Sequence, residues 1–131
     1  KNKDKAVKFL QIWMFPNKKN VTPRYDQITL EQSKMKNNLY QILSPSAKDE
    51  GVWAHQNAWF HRGDLDSGTQ HFYELKGDNT GVYAFILDGS VTIEGQDLNS
   101  RDGFGIWDTD KIEIDATADA KVLLMEVPMN F

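Results

Sequence analysis

Apolar positions along this chain fall in short runs, alternating or continuous, that are broken by Gly, Asp, Asn and Pro. A period of two gives each strand one apolar face, so the pattern predicts β-structure. Residues 7–14 (VKFLQIWM) read as a strand of the fully buried kind, stopped at Pro16 because proline brings no donor to a ladder. Residues 16–26 form an irregular connector stiffened by Pro23. Residues 29–36 (TLEQSKMK) are the best helical segment, with Thr29 and Gln32 spaced as a capping box. Residues 39–43 read as a strand ending at Ser44-Pro45, and residues 52–60 as a loosely alternating, Trp-containing run. A turn is expected at 63–68 and a strand at 70–75, followed by a hairpin-type loop at 76–81. Residues 82–87 (VYAFIL) make the most apolar strand. Asp88-Gly89 is a strong two-residue turn signal, from which residues 90–94 return. Residues 104–107, 111–116 and 121–127 complete the set, and the last (KVLLMEV) is apolar enough to lie centrally.

Roughly nine strands at a spacing of about 8–12 residues are the signature of a sandwich or small barrel. No helix–strand alternation of the kind that builds a parallel sheet occurs. With 131 residues the chain is one domain, long enough for a single core. A net charge of −4, with no clustered basic face, leaves no electrostatic footprint for nucleic acid. The chain has no cysteine, which removes disulfides, zinc-thiolate sites and cysteine nucleophiles and fits a reducing, cytoplasmic setting. No apolar run approaches a membrane span, so no membrane partner is expected.

Several separated motifs carry a resemblance. FLQIWMFPNKKNVTPRYDQ (residues 9–27) resembles the inter-domain segment of the pirin family, bicupin proteins related to quercetin dioxygenases. GVYAFILDGSVTIEGQDL, RDGFGIW and KVLLMEVP, between residues 81 and 128, resemble that family's C-terminal cupin, and NLYQILSP (38–45) also fits. The resemblance implies an all-β, cupin-type double-stranded β-helix (a jelly-roll barrel) with a short helix near residues 30–37. It divides the chain into an inter-domain strand and connector, 1–27, and a C-terminal cupin-like region, 28–131, within one structural domain. A buried strand this near the start is expected to have part of its packing partner outside the chain. The expected partner is the family's N-terminal cupin or, in its absence, a second copy using residues 7–14 in a homodimer.

Metal-binding cupins hold a divalent metal with a His-x-His pair and a Glu from one motif and a His from another, leaving positions open for substrate. Carried onto this sequence, the Glu position falls on Val82. The two His positions fall on Leu75 and Gly77, or on Lys76 and Asp78, and the second-motif His on Ile112. At most one ligand type, Asp78, survives. The resemblance therefore implies a metal-free domain with no cofactor of its own. The family's divalent, iron-like metal belongs to the N-terminal cupin, and an enzyme label such as quercetin 2,3-dioxygenase would rest there.

The remaining chemistry is sparse. His55, His61 and His71 with Glu74 form a conceivable metal set, although hydrogen-bonded histidines without metal are commoner. Asp108, Asp110, Glu113 and Asp115 are acidic, and alternation sets Glu113 and Asp115 opposite Ile112 and Ile114, on the outside. No catalytic residue is assigned. The rich aromatic set suggests either a packed core or a cavity for a small aromatic ligand, with Tyr73, Tyr83, Phe85 and Trp107 as lining candidates.

Overall fold

The computed structural model describes residues 3–130, so Lys1, Asn2 and Phe131 lie outside the described residues. One short helix, α1 (Gln32–Met35), precedes ten strands. These are β1 (Tyr40–Ser44), β2 (Val52–Trp53), β3 (Trp59–Leu65), β4 (Gln70–Glu74) and β5 (Thr80–Asp88), then β6 (Ser90–Ile93), β7 (Gln96–Asn99), β8 (Gly103–Ile106), β9 (Lys111–Ala116) and β10 (Ala120–Pro128). They form a six-stranded sheet, β2-β1-β3-β10-β5-β8, and a four-stranded sheet, β4-β9-β6-β7.

Alternation along the strands builds the core between the sheets. Val82, Ala84 and Ile86 of β5, Val122 and Leu124 of β10, Ile112 and Ile114 of β9, and Val91 and Ile93 of β6 are each at most 2% exposed and form one cluster. Burying such a side chain contributes about 1.5–3 kcal/mol. The expected central strand is central: β10 pairs with β3 on one side and β5 on the other.

Several expectations change in three dimensions. Asp88-Gly89 is a turn but not a hairpin, because β5 and β6 belong to different sheets. The chain crosses between layers there, and Gly89 has φ +78° with an added Cβ only 2.0 Å from the Asp119 carbonyl oxygen, so the corner requires glycine. The β4–β5 loop is likewise a crossing between sheets rather than a hairpin. The hairpin of this region is β6–β7, turned by Glu94 and Gly95 at φ 49° and 78°. Strand β7 has only Leu98 as an apolar signal. The run at 52–60 splits into β2 and β3, and β3 continues through Gly63 to Leu65 into the expected turn. A Cβ at Gly63 would stand 3.1 Å from Leu39 Cδ2, so the missing side chain permits that close approach. Helix α1 is shorter than expected; its N-cap is Glu31 and no side chain caps it, so the Thr29–Gln32 capping box does not form.

The largest difference lies at residues 7–14, which are not a strand. They join neither sheet, and Val7, Phe9, Trp13 and Phe15 are 77–84% exposed. Apolarity predicts a wish for burial, whereas strand pairing depends on which edge the segment meets, and it pairs with none of the described strands. It is anchored beyond its end instead: Gln56 donates to the Phe15 carbonyl (2.9 Å) and the Asn17 N–H to the His55 carbonyl (2.7 Å).

Candidate functional site

The barrel interior is apolar except at the end where β3, β4, β5 and β10 meet the β4–β5 loop. There Glu126, on the inward face of β10, is fully buried. Its ladder partner on β5 is Val82, the residue at the motif's glutamate position, so the carboxylate stands one strand away from where a metal-binding cupin would place it. Glu126 Oε1 accepts from the N–H groups of Lys76 (2.9 Å) and Gly77 (2.8 Å) and from Thr80 Oγ1 (2.6 Å). Oε2 accepts from Tyr73 Oη (2.6 Å) and shares the Lys76 N–H (3.0 Å). A carboxylate offers about four lone-pair sites, and these contacts occupy them. Lys76 and Gly77, two of the positions counted for imidazole ligands, thus give their backbone amides to a buried anion.

Tyr73 is 4% exposed and lies inside the barrel against Glu126. Burial, then its hydrogen bond to Glu126 and that carboxylate's charge, push its phenol well above the usual range, so it stays a donor. The His61 ring stands T-shaped against it, centroids 4.8 Å apart. His61 is 4% exposed and its Nδ1 has no hydrogen-bond partner. Burial, and secondarily the Lys76 charge, lower its pKa to about 4 against an opposing effect of Asp49, which leaves the ring neutral at neutral pH. Across the β1–β3 ladder its partner is Gln41, also buried, whose Oε1 is unpartnered. Gln41 Nε2 donates to the Glu50 carbonyl (3.0 Å), and its hydrogen bond to Asp49 holds that carboxyl below the usual range.

The four residues of the conceivable metal set are only partly brought together. His61, His71 and Glu74 border one small cleft. His71 is half-buried, its pKa lowered by burial, with Nε2 2.9 Å from Thr69 Oγ1. His55 lies elsewhere, edge-on to Trp53 and 3.3 Å from the Thr22 carbonyl. Among the described residues, no three His, Cys, Asp or Glu side chains stand so as to hold a metal ion. Val82 and Ile112, at two of the motif's ligand positions, are 2% and 0% exposed and built into the apolar core. The residues present therefore do not fit the cupin metal.

Of the remaining lining candidates, Tyr83 and Trp107 are 47% and 58% exposed, and Phe85 shares Tyr83's outward face of β5, half-buried. They do not converge with Tyr73. Tyr83 covers Gly103, whose absent Cβ makes room for the phenol. Glu113 points outward as expected, with Asp115 half-buried beside it, and Gln70 Nε2 bridges both carboxylates at 3.0 and 2.9 Å. Sequence reasoning missed Glu126, although a signal was present: it is the one charged residue between Val122 and Pro128.

The profile of the quercetinase C-terminal cupin domain matches residues 41–127. A quercetin 2,3-dioxygenase of Escherichia coli K12 is 33% identical over 118 residues, covering 90% of this chain and 49% of that protein. The crystal structure of YhhW from Escherichia coli superposes with a TM-score of 0.80 at 31% identity, over 88% of this chain and 48% of that one. The structure described as bacterial pirin YhhW in complex with nickel(II) gives 0.77 at 31% identity, over 86% and 47%. The chain spans about half the length of the curated relatives it matches. On the jelly-roll core and these matches together, it belongs to the quercetinase C-terminal cupin family, the C-terminal cupin of pirin-like proteins.

Proposed function

We propose that this domain is a metal-free cupin serving as a structural and interaction module beside a metal-bearing N-terminal cupin, in a cytoplasmic pirin-like protein. One observation carries the reading: the motif's ligand positions are occupied by core residues, Val82 and Ile112, while the nearby buried carboxylate of Glu126 is saturated by protein donors. A metal would have to displace those donors and enter an apolar wall. The exposed apolar side chains of residues 7–15 support the interaction role, because a surface of that kind is normally covered by a partner. The expected cover is the N-terminal cupin, or a second copy when the domain is alone. Any dioxygenase activity of the whole protein would then belong to the other half. Elemental analysis of the purified chain after incubation with iron(II), nickel(II) and zinc(II) tests this. The expected content is far below one metal per chain, and a stoichiometric, tightly held ion would overturn it.

A further inference from the structure

The outer face of the six-stranded sheet is apolar where β3, β10 and β5 run side by side. Alternation turns Phe60, Leu123 and Leu87 outward there, opposite the inward Val122, Leu124 and Ile86. Residues 8–12 and Leu30 stand over this face, with Leu10 and Ile12 facing the same space as Phe60 and Leu123. Between them lies an open groove of about 720 Å³, the size of a small-molecule site. These walls offer hydrocarbon and almost no hydrogen bond, so a sugar or a polyphenol would bury hydroxyls against them unpaired.

The rim supplies the charge. Four cations, Lys8, Arg62, Arg101 and Lys121, line the groove with one carboxylate, Asp88, although the chain as a whole has a net charge of −4. Two of the cations are already matched: Arg62 pairs with Asp64 (2.5 Å), and Lys121 stands between Asp64 and Asp88 across its two ladders. Lys8 and Arg101 form no ion pair among the described residues. Arg101 is set in a fixed turn. Its backbone is left-handed (φ 76°), uncommon outside Gly, Asn and Asp, and its N–H donates to the Ile86 carbonyl (2.7 Å). A guanidinium fork so placed is complementary to a carboxylate. We propose that the groove binds a free medium-chain aliphatic carboxylate, its chain between Leu10, Ile12 and the sheet and its head at Arg101. Val7, Trp13 and Phe15, the most exposed apolar residues of the 7–15 segment, do not line the groove and remain for a protein partner, so the inference goes beyond the docking role.

Calorimetric or NMR titration of the 131-residue chain with octanoate, hexanoate and octan-1-ol tests the site. Octanoate is expected to bind saturably with Kd of about 1 mM or below, the range for so small a ligand. Hexanoate should bind about fourfold more weakly, as expected when each lost methylene is half-buried in an open groove. Octan-1-ol should bind about threefold more weakly, the worth of one exposed ion pair. Arg101→Gln should remove most of the preference for octanoate over octan-1-ol, and Leu10→Ser should weaken both ligands by a similar factor. Leu10 and Arg101 are exposed, so neither replacement endangers the fold. Absence of saturable octanoate binding up to about 10 mM, whether the chain takes anionic vesicles or a second copy instead, overturns the proposal. So does an affinity independent of chain length, or a carboxylate preference undiminished in Arg101→Gln.

Discussion

Replacing Glu126 is the most direct test of how the polar end of the barrel is held. Glu126→Ala leaves Tyr73 Oη and the N–H groups of Lys76 and Gly77 without their acceptor, while Thr80 Oγ1 keeps the Gly77 carbonyl at 2.9 Å. The two amides sit on a loop that can turn to water, so their loss is discounted. Tyr73 is 4% exposed and cannot be rehydrated where it stands. The stranded buried phenol costs about 1–3 kcal/mol, and the cavity left by truncating a fully buried side chain adds about 2 kcal/mol, so a loss of about 3–5 kcal/mol is expected. For a domain of this size that is a fall in Tm of roughly 10–20 °C. Glu126→Gln preserves shape but turns an NH2 toward groups that are themselves donors, so about 2–4 kcal/mol should still be lost. Tyr73→Phe removes one donor and leaves the carboxylate its others, for about 1–2 kcal/mol. The double variant Tyr73→Phe/Glu126→Gln should show a coupling of at least about 0.5 kcal/mol. Urea unfolding followed by circular dichroism measures the parent and all four variants. If both Glu126 variants lie within about 0.5 kcal/mol of the parent, the range of a neutral surface change, the carboxylate does not organise this end of the barrel.

Three further outcomes follow from the same geometry. Because His61 is held neutral, with its pKa lowered to about 4, the unfolded chain binds the extra proton first; stability should fall as pH drops from about 6.5 toward 4 by up to roughly 3 kcal/mol. Urea midpoints of parent and His61→Phe between pH 7.5 and 4.5 should show a shallower decline in the variant, His71 supplying a smaller effect of the same sign; parallel curves would refute it. Gly89→Ala should cost more than about 2 kcal/mol, since the left-handed backbone strain adds to a clash with the Asp119 carbonyl, and a melt unchanged from the parent would refute the corner. The double replacement Phe9→Ser/Trp13→Ser should leave stability within about 0.5 kcal/mol while reducing self-association in light scattering, because these side chains are 77% and 82% exposed; an unchanged mass distribution in an associating parent would count against their role as a docking surface.

What the sequence by itself determined is what depends on local period. Alternation is a property of consecutive residues, and it set Ile112 and Ile114 opposite Glu113; a continuous apolar run likewise marked β10 as central. The resemblance placed Val82 and Ile112 at ligand positions, and both lie in the apolar core. What the tertiary structure decided is everything that depends on which segments meet. Residues 7–14 are as apolar as a core strand, yet apolarity carries no information about a free edge, and they lie exposed. Asp88-Gly89 specifies a turn but not the layer that the next strand enters. Tyr73 and Tyr83 are alike as letters, but the faces of β4 and β5 send one to a buried carboxylate and the other to solvent. Glu126 shows the difference most sharply. A lone charge in an apolar run reads as an anomaly, and only the convergence of β4, β5, β10 and the β4–β5 loop supplies the four groups that make a buried anion stable there.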